Sequence, residues 1–425
     1  MERKIALKNV GRVDPDSMQS YIDSGGYEAL RKTLQAPPET VIHQIIQSGL
    51  RGRGGAGFLT GLKKKYTSEA ACTLLECMRT IVCNADEGEP GTFKDRIIME
   101  NDPHLLIEGI LIAAYAVGAE HGYIYIRGEY HLSINRIRTA LNHARAYGFL
   151  GNNILGSGFS MDIDIRLGAG SYLCGEELTL LESLEGKRGY PRIKPPFPAE
   201  VGLFGMPTLI NNVETLTHIP AIIVNGADWY KRIGTRRASG TKIFTISGDV
   251  NKPGYVEAEM GVSLRHLIYG HARGIRAGRP FKAALLGGAA GTFVPEGQLD
   301  VSMDFDALKA VGAVLGSGAI IVLAEGRSIV TLLDSILRFF EHESCGKCIP
   351  CRVGTRHLVG LIDRLKTGSG NPSADIEALV HQSRMMAKTS LCPLGQSPIL
   401  PIDSAVRYFC DEFQVAKRKT SGNHP

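Results

Sequence analysis

Four cysteines near the carboxyl end of the chain constrain its fold more than any other feature. Cys345, Cys348 and Cys351 follow the pattern C-x2-C-x2-C, and Cys392 stands far downstream, directly before Pro393. Three thiolates at this spacing can each bind a different iron of one 4Fe-4S cluster, while a distant fourth thiolate closes the site. A structural zinc site is the alternative, although zinc ligands usually come as two separated C-x2-C pairs. Free thiols are the third interpretation.

The composition is typical of a globular protein with more than one core. Its 425 residues are 44% hydrophobic and 21% charged, with a formal net charge of +5, and this length suggests roughly two to four domains. We expect the one basic group, Lys417-Arg418-Lys419, to be a solvated terminus, so nucleic acid is not an expected partner. The apolar stretch Leu105–Gly118 contains Glu108 and is too short for a membrane span. It is predicted to be a buried helix.

The compartment follows from the amino-terminal residues and the cysteine content. The first residues have no long apolar region of the kind that a secretory signal needs, so we expect a cytoplasmic chain without membrane insertion. Nine cysteines in such a chain indicate metal chemistry rather than disulfides. Cys72, Cys77, Cys83 and Cys410 lack close partners and are interpreted as core or surface thiols, while Cys174 has no assigned role.

The order of patterns along the chain predicts four segments. Residues 1–70 hold a helical lead over Ser17–Leu34 and a glycine-rich loop. Residues 71–240 alternate apolar runs with helical patterns, which predicts an α/β domain with a partly parallel sheet. Residues 241–328 show a strand, a Pro-Gly turn, a second strand, a short helix at Leu264–Tyr269 and strands at Ala283–Leu286 and Ala319–Leu323, which indicates a small α+β domain.

Residues 329–425 contain almost no strand pattern and predict an all-α helical bundle. Its closely spaced cysteines are expected at the turns between helices. The predicted helices are Val330–Glu341, Arg356–Leu365, Asp375–Met386 and Asp403–Phe413.

A glycine-dense loop, RGRGGAGF, extends from Arg51 to Phe58. Glycines let backbone N–H groups approach a flat or anionic ligand because no Cβ stands in the way. A plain turn is an equally good interpretation of the loop by itself. The loop does not open a helix after a predicted strand, so it is not a Rossmann fingerprint.

Polar residues concentrate at two places that follow apolar runs. Asn84–Glu89 reads NADEGE, and Cys174–Glu177 reads CGEE. Carboxylates at strand ends are costly unless they hold hydroxyls, amides or a cation, although a helix cap or a salt-bridge network would also explain them. Asn211 and Asn212 offer paired amides for phosphate or ring-edge contacts, or form a turn.

Together these segments resemble the NADH-oxidising flavoprotein subunit of respiratory complex I and its relatives, the diaphorase subunits of NAD-linked hydrogenases and formate dehydrogenases. The matching motifs occur in the family's order. They are GLRGRGGAGF (Gly49–Phe58), CNADEGEPGTFKDR (Cys83–Arg96), GAGSYLCGEE (Gly168–Glu177), KPPFPA (Lys194–Ala199), NNVETL (Asn211–Leu216) and ESCGKCIPCR (Glu343–Arg352).

The resemblance implies an FMN site and an NADH site in the α/β domain, with no catalytic residue beyond the flavin itself. The implied FMN-binding residues are Gly52, Arg53, Gly54, Gly55, Lys63, Asn84, Asp86, Glu87, Gly175, Glu176, Asn211, Asn212 and Thr215. The implied NADH-binding residues are Phe58, Tyr66 and Phe197 on the adenine, with Glu89, Glu177 and Lys194 on polar parts of the dinucleotide.

The resemblance also implies the other domains, the cluster ligands and the partners. Residues from 241 would form a ubiquitin-like (SLBB) domain, and the carboxyl-terminal bundle would bind the 4Fe-4S cluster through Cys345, Cys348, Cys351 and Cys392. Further iron–sulfur subunits are expected as partners, including a small 2Fe-2S thioredoxin-like one. Through them the chain could lie on the cytoplasmic side of a membrane.

The chemistry of NADH oxidation agrees with this pair of cofactors. NADH gives two electrons as a hydride, a cluster accepts one at a time, and a flavin does both. Carboxylates near the adenosine ribose would disfavour a 2′-phosphate, which favours NAD over NADP. Leu59, where a proline is common, and Leu178-Thr179 after the GEE motif depart from the family pattern at the rim of the pocket.

The motifs favour the diaphorase subunit of a soluble NAD-linked hydrogenase or formate dehydrogenase. The flavoprotein subunit of complex I is the alternative. A non-catalytic scaffold that keeps only the cluster is a third hypothesis, against which the intact NADE, GEE and NNVET segments argue.

Overall fold

The amino-terminal half is built on a four-stranded parallel sheet, and the computed structural model describes residues 3–70 and 78–413 of the chain. Cys72, Cys77 and the basic group at 417–419 therefore lie outside the described residues. The strand order is β3-β2-β1-β4. The strands are β1 Arg79–Ala85, β2 Ala119–Arg127, β3 Asp162–Gly168 and β4 Thr208–Asn212.

Helices cover this sheet and explain why β1 is apolar along most of its length, as strands of covered parallel sheets are. The central residues of β1 are buried. The helices are α1 Met18–Asp23, α2 Glu28–Thr33, α3 Pro38–Ser48, α4 Thr60–Glu69, α5 Lys94–Asn101, α6 Pro103–Val117, α7 His131–Ala146, α8 Glu177–Leu184, α9 Val213–Thr217, α10 Ile219–Asn225 and α11 Ala227–Lys231. A short ribbon of β5 Gly234–Thr235 and β6 Ala238–Ser239 follows.

The apolar stretch at 105–118 forms the buried helix α6, as predicted. Asp102 caps its amino end by accepting from the Leu105 N–H at 3.3 Å, and Gly118 ends it at φ 69°. Nowhere in the described ranges is there a helix of the length and apolarity that a membrane crossing requires.

The expected single helical stretch Ser17–Leu34 is wrong, because two short helices, α1 and α2, occupy it. Gly25 and Tyr27 both have positive φ, at 85° and 59°, which interrupts the helix. Gly26 is needed there because a side chain would overlap the ring of Tyr21. The break lets both tyrosines enter the core.

The second region is a five-stranded mixed sheet with strand order β10-β9-β11-β7-β8. Only β7 and β11 pair in parallel, and the other neighbours are antiparallel. Its elements are β7 Thr241–Gly248, β8 Gly254–Glu259, β9 Phe281–Leu286, β10 Thr292–Pro295, α12 Phe305–Ala310 and β11 Ala319–Ala324. The short helix expected at Leu264–Tyr269 is shifted toward a π-helical turn at His266–His271, and β10 and α12 were not predicted.

The carboxyl-terminal region of the described chain is helical. Its helices are α13 Ile329–His342, α14 Ile349–Thr367, α15 Pro372–Thr389, α16 Pro393–Gln396 and α17 Ile399–Phe409. The four predicted helices are present, but α14 begins earlier than expected. Cys351 therefore lies inside the first turn of α14 rather than between helices, because Pro350 favours the start of a helix at this point.

Three hydrophobic cores account for most of the packing. The first extends from Ile5 through the helices around the parallel sheet and includes Ile243 of β7. The second sheet has its own core on one face. Its other face, with Leu285 and Phe293, packs against the carboxyl-terminal helices through residues such as Leu333.

Candidate functional site

Three of the predicted motifs meet at the carboxyl ends of β1 and β4. Asn84 lies opposite Asn212 in the sheet register, and its side-chain amide donates to the carbonyl of Gly175 at 2.8 Å. Since β1 and β4 are where the strand order reverses, this crevice is where open α/β sheets bind ligands. NADE, GEE and NN therefore share one edge of the sheet.

The glycine loop approaches the same edge through its backbone. The Gly52 N–H donates to the Phe58 carbonyl at 2.8 Å, which closes the loop. A Cβ on Gly54 would stand 3.0 Å from Asn212 Cβ, and one on Gly175 would stand 3.3 Å from the Asp86 carbonyl oxygen. A Cβ on Gly55 would point into open space. The loop thus presents main chain to the crevice.

Arg53 contributes its backbone rather than its side chain to this edge. Its N–H donates to Thr215 Oγ1 at 2.8 Å. Its guanidinium is fully buried and donates to the carbonyls of Thr241 at 2.9 Å and Ser239 at 2.6 Å. Only the main chain of Arg53 is therefore placed to touch a ligand, which the sequence pattern could not indicate.

Two lysines and two glutamates form a bonded group beside the crevice. Lys194 Nζ lies 2.9 Å from Glu176 and 2.8 Å from Glu177, and Lys63 Nζ lies 2.8 Å from Glu177. Burial raises the pKa of Glu177, but Lys63 and Lys194 outweigh that effect and lower the pKa to about 2. Glu176 also caps α8 by accepting from Thr179 N–H at 2.9 Å.

The two carboxylates of the NADE motif have different surroundings. Glu87 caps α5 by accepting from the N–H groups of Asp95 at 2.8 Å and Arg96 at 3.1 Å. Asp86 has one buried carboxylate oxygen, Oδ2, with no hydrogen-bond partner among the described residues. Burial raises the pKa of Asp86 to about 7, against the lowering effect of Arg127. An unpartnered buried acceptor of this kind fits a ligand that brings its own donor.

Glu89 lies where all three regions meet. Its carboxylate accepts from the Tyr172 hydroxyl at 2.7 Å and from the Ala290 N–H, in the second sheet region, at 3.2 Å. The Tyr172 N–H donates to Glu343 at 3.0 Å, next to the cysteine motif. Glu89 is therefore already bonded to protein groups on two sides.

The three aromatic residues predicted for the adenine are about half exposed. Phe58 is 47%, Tyr66 52% and Phe197 51% accessible. Tyr66 lies on α4 with Lys63, Phe58 lies just before α4, and Phe197 lies three residues after Lys194. The ion pairs of Lys63 and Lys194 with Glu177 therefore hold these segments near one another. Large apolar side chains left in water beside a polar crevice suit stacking on a planar ligand.

A buried charged group beneath the crevice was missed by the sequence analysis. Lys94 Nζ lies 2.6 Å from Asp95 and 3.0 Å from Glu214, and Glu214 lies 2.6 Å from Lys242. Asn212 donates to Asp95 at 2.6 Å. The quoted motifs contain three of these residues: Lys94 and Asp95 end the GTFKD stretch, and Glu214 follows NNV.

Lys64 was missed as well. It is fully buried, and its ammonium donates to Asn211 Oδ1 at 3.4 Å. Burial lowers the pKa of Lys64 to about 7. This contact leaves the Asn211 amide nitrogen turned away from the lysine, so Lys64 fixes the orientation of the amide.

The four predicted cluster cysteines gather at the end of the helical region. Cys348 and Cys392 are the residues before the first turns of α14 and α16, and a Cβ on Gly395 would stand 2.9 Å from Cys351 Cβ. Burial, and then the negative charge of Cys351 and Cys345, raise the pKa of Cys392 to about 11. The thiols are thus close enough to oppose one another's ionisation.

The donor set at this site suits an iron–sulfur cluster. Buried thiolates without cations are unfavourable, and metal binding removes that cost. Across residues 3–70 and 78–413, no three His, Cys, Asp or Glu side chains are grouped tightly enough for a single metal ion. Four cysteine thiolates are the ligand set that a 4Fe-4S cluster takes, so the chemistry of these residues fits that group.

The crevice is in contact with α13 and with the loop after it that carries the first cysteines, here called the cysteine loop. The centre of the Tyr172 ring lies 4.9 Å from that of Phe339, and Lys347 Nζ donates to the Pro191 carbonyl at 2.9 Å. Of the other cysteines in the described ranges, Cys83 and Cys174 are buried and Cys410 is exposed.

Comparison with known proteins agrees with this geometry. Residues 45–221 match the family model described as the Nuo51 FMN-binding domain, and residues 331–416 match the NADH-ubiquinone oxidoreductase-F iron-sulfur binding region.

Two curated relatives and one solved structure illustrate the match. The F 2 subunit of NADH-quinone oxidoreductase from Rhizobium meliloti is 47% identical over 97% of both chains. The HndC subunit of the NADP-reducing hydrogenase from Solidesulfovibrio fructosivorans is 44% identical over 97% of this chain and 83% of its own. A crystal structure of an air-oxidised NAD+-reducing [NiFe]-hydrogenase aligns with a TM-score of 0.83 and 33% identity, over 98% of this chain and 67% of that one.

The sequence motifs, the fold and these similarities agree on the cofactors and on the class of reaction. The chain belongs to the family of FMN- and 4Fe-4S-binding, NADH-oxidising oxidoreductase subunits that occurs both in NADH-quinone oxidoreductase and in NAD-linked hydrogenases.

Proposed function

We propose that FMN binds at the carboxyl ends of β1 and β4 and that electrons leave it through the four-cysteine site. One observation carries this proposal: the crevice at the strand ends is in contact with the cysteine loop through Tyr172 and Glu343. FMN, when bound, supplies the conversion between two-electron and one-electron transfer. The protein need only hold the rings, exclude water and conduct electrons over a short distance.

The proposed FMN contacts come mainly from backbone and amides. Glycine main chain can approach the cofactor closely, and Asp86 offers an acceptor that lacks a donor among the described residues. Lys63, Asn211 and Asn212 would meet the anionic end. The full proposed set is Gly52, Arg53 through its main chain, Gly54, Gly55, Lys63, Asn84, Asp86, Glu87, Gly175, Glu176, Asn211, Asn212 and Thr215.

The proposed NADH contacts lie on the exposed side of the same crevice. Phe58, Tyr66 and Phe197 would stack on the adenine, and Glu177 and Lys194 would hold polar parts of the dinucleotide. Glu89 could join them only by giving up bonds to Tyr172 and Ala290. Glu177 is held ionised by Lys63 and Lys194. NAD is proposed as the substrate, and the comparison with NADPH below tests it.

The three regions are proposed to be the domains that the motifs predict. The second sheet is proposed to be a ubiquitin-like SLBB domain within 241–328, supported by its parallel central pair β7 and β11 with a hairpin-like partner on each side. The helices from 329 onward are proposed to form the cluster-binding bundle.

The assembly is proposed to be a soluble NAD-linked hydrogenase or formate dehydrogenase, with this chain as its diaphorase subunit. The structural similarity to an NAD+-reducing hydrogenase supports it. The relative HndC, from an NADP-reducing hydrogenase, supports a hydrogenase assembly but not the choice of NAD. The second candidate is complex I, which the 47% identity to the Rhizobium NADH-quinone oxidoreductase protein favours. Iron–sulfur partner subunits, among them a small 2Fe-2S thioredoxin-like one, belong to both proposals.

The cofactor site is tested with the chain reconstituted with FMN, iron and sulfide. We expect NADH-driven reduction of ferricyanide, an FMN spectrum, and much weaker activity with NADPH. A chain that binds neither FMN nor NADH would contradict the proposal and support a scaffold role.

The assembly is tested by affinity purification of the tagged chain from its own cells. Copurification of a nickel–iron or molybdenum-containing subunit would support the soluble diaphorase. Copurification of quinone-reducing membrane subunits would support complex I instead.

A further inference from the structure

The glycine loop Arg51–Phe58 is attached to the second sheet region at two places. Its Arg53 guanidinium donates to the carbonyls of Ser239, at the end of β6, and Thr241, at the start of β7. This first attachment fixes the loop next to Gly54, which approaches Asn212.

A second attachment joins both ends of the loop to α12. Arg51 Nε donates to the Gly57 carbonyl at 2.7 Å, which bridges the neck of the loop. The guanidinium of Arg51 lies 4.2 Å from the centre of the Phe305 ring and 3.5 Å from Asp306. The ring also fills the space under Gly57, where a side chain would overlap it.

Phe305 is well placed to act as a rigid support. It is the first residue of α12, and Asp304 caps that helix by accepting from the N–H groups of Asp306 at 3.0 Å and Ala307 at 2.8 Å. Its ring packs against the core of the second sheet. Because Asp306 is partly exposed, the ion pair is weak. The ring contact with Arg51 and Gly57 is therefore the main link.

We propose that Phe305 is a positioning residue that sets the shape of the glycine loop from the opposite domain. Through Arg51 and Gly57 it controls how firmly FMN is retained and where Phe58 stands for NADH. This inference rests on the proposed function. It gives the second sheet region a part in the proposed flavin site.

The test compares Phe305→Ala with Phe305→Tyr, which keeps the ring, and with Val311→Ala. Val311 is the matched control because it packs against the same core just after α12. The FMN- and cluster-loaded full chain is assayed for FMN release by flavin fluorescence, for the cluster by low-temperature EPR, and for KM and kcat with NADH and ferricyanide.

We expect Phe305→Ala to release FMN about fivefold faster and to raise KM for NADH, which corresponds to one lost cation–π contact. The EPR signal and kcat per bound flavin should not change. Phe305→Tyr and Val311→Ala should match the unmodified chain. Unchanged release and KM in Phe305→Ala, or equal changes in Val311→Ala, would overturn the inference.

A milder variant decides the question if Phe305→Ala does not fold. Arg51→Lys keeps the charge but removes the planar group over the ring, and it should shift FMN release in the same direction by a smaller factor. No shift would overturn the inference. If the unmodified chain itself bound no FMN, the proposed function would fail instead, so the two failures are distinguishable.

Discussion

The crevice at the strand ends and the four-cysteine site differ in how far the protein satisfies its own polar groups. In the crevice, Glu177 is paired with two lysines, and Asn84 is bonded to a backbone carbonyl. At the cysteine site, burial and neighbouring thiols raise the pKa of Cys351 and Cys392. The Ser344 hydroxyl, 3.3 Å from Cys351, and two backbone N–H groups at Cys392 offset this only in part.

The difference separates two ways of building a cofactor site. Asp86 Oδ2 is unpartnered, but Glu177, Asn84 and Glu87 are bonded to protein groups, so we expect the crevice to survive loss of its cofactor. The thiols need metal ions to neutralise them, so folding of their surroundings is coupled to the cluster. Four substitutions test this difference between the two sites.

The largest effect is expected for Cys348→Ala. Removing one ligand should abolish the low-temperature EPR signal of the reduced cluster and lower the iron content, and the helical region should unfold at a lower temperature. The FMN content should stay the same, because the crevice is bonded without the cluster. Cys410→Ala, which removes an exposed cysteine, is the control. A retained EPR signal would show that the ligands are assigned wrongly.

Glu214→Gln should give the next largest effect, on the stability of the amino-terminal half. Glu214 is fully buried between Lys94 and Lys242. Losing its charge removes the carboxylate partner of Lys242 and leaves Lys94 paired with Asp95 alone. The expected cost is about 3–5 kcal/mol, measured by calorimetric unfolding. Glu129→Gln, in an exposed pair with Arg127, should cost at most about 1 kcal/mol. Equal costs would mean that the buried group does not support the crevice.

Lys64→Met tests the buried lysine through pH. Burial lowers the pKa of Lys64 from 10.5 to about 7, so the unfolded chain holds this proton more tightly than the folded one. The penalty is therefore fully present below pH 7 and disappears as pH rises toward 10.5. Lys64→Met should melt at a higher temperature than the unmodified chain at about pH 7, with the difference shrinking toward about pH 10.

The exposed neighbour provides the control for this measurement. Lys65→Met should show no pH-dependent difference in melting temperature, because Lys65 lies at the surface. A constant difference for Lys64→Met across this pH range would mean that Lys64 is not protonated in the way its burial implies. FMN content should fall in Lys64→Met if the lysine orients Asn211.

The smallest effect is expected for Phe197→Ala. Loss of one stacking ring should raise KM for NADH by a factor that corresponds to about 1 kcal/mol, without changing kcat, FMN content or the cluster. Steady-state assays with ferricyanide measure this. Phe204→Ala is the control. It removes another exposed ring from the segment between α8 and β4 and should leave KM unchanged.

The sequence predicted the chemistry of both sites better than it predicted their supports. The cysteine spacing and the motifs at the strand ends were visible because each lies within a few consecutive residues. The roles of Arg53, Glu87 and Tyr172 were not visible, since they depend on partners far along the chain. A guanidinium turned into the core and one aimed at a ligand look alike in sequence.

The same reason explains the errors in the fold. The helical lead was broken by the packing of Gly26 on Tyr21, and α14 began before the apolar pattern did. Both depend on tertiary contacts or on a proline rather than on periodicity. Helix α13, Ile329–His342, was predicted nearly to its ends because its apolar face repeats over several turns.

Strand β7 belongs to one region by its hydrogen bonds and to another by its side chains. It pairs with β8 and β11, yet Ile243 lies in the first core, and Lys242 meets Glu214. A cut between 240 and 241 would therefore leave the buried Glu214 carboxylate on one fragment and the buried Lys242 on the other, each without its partner. The flavin half cannot be excised as an independent electron-transfer module at that point, and any minimal version must carry β7 and the sheet that holds it.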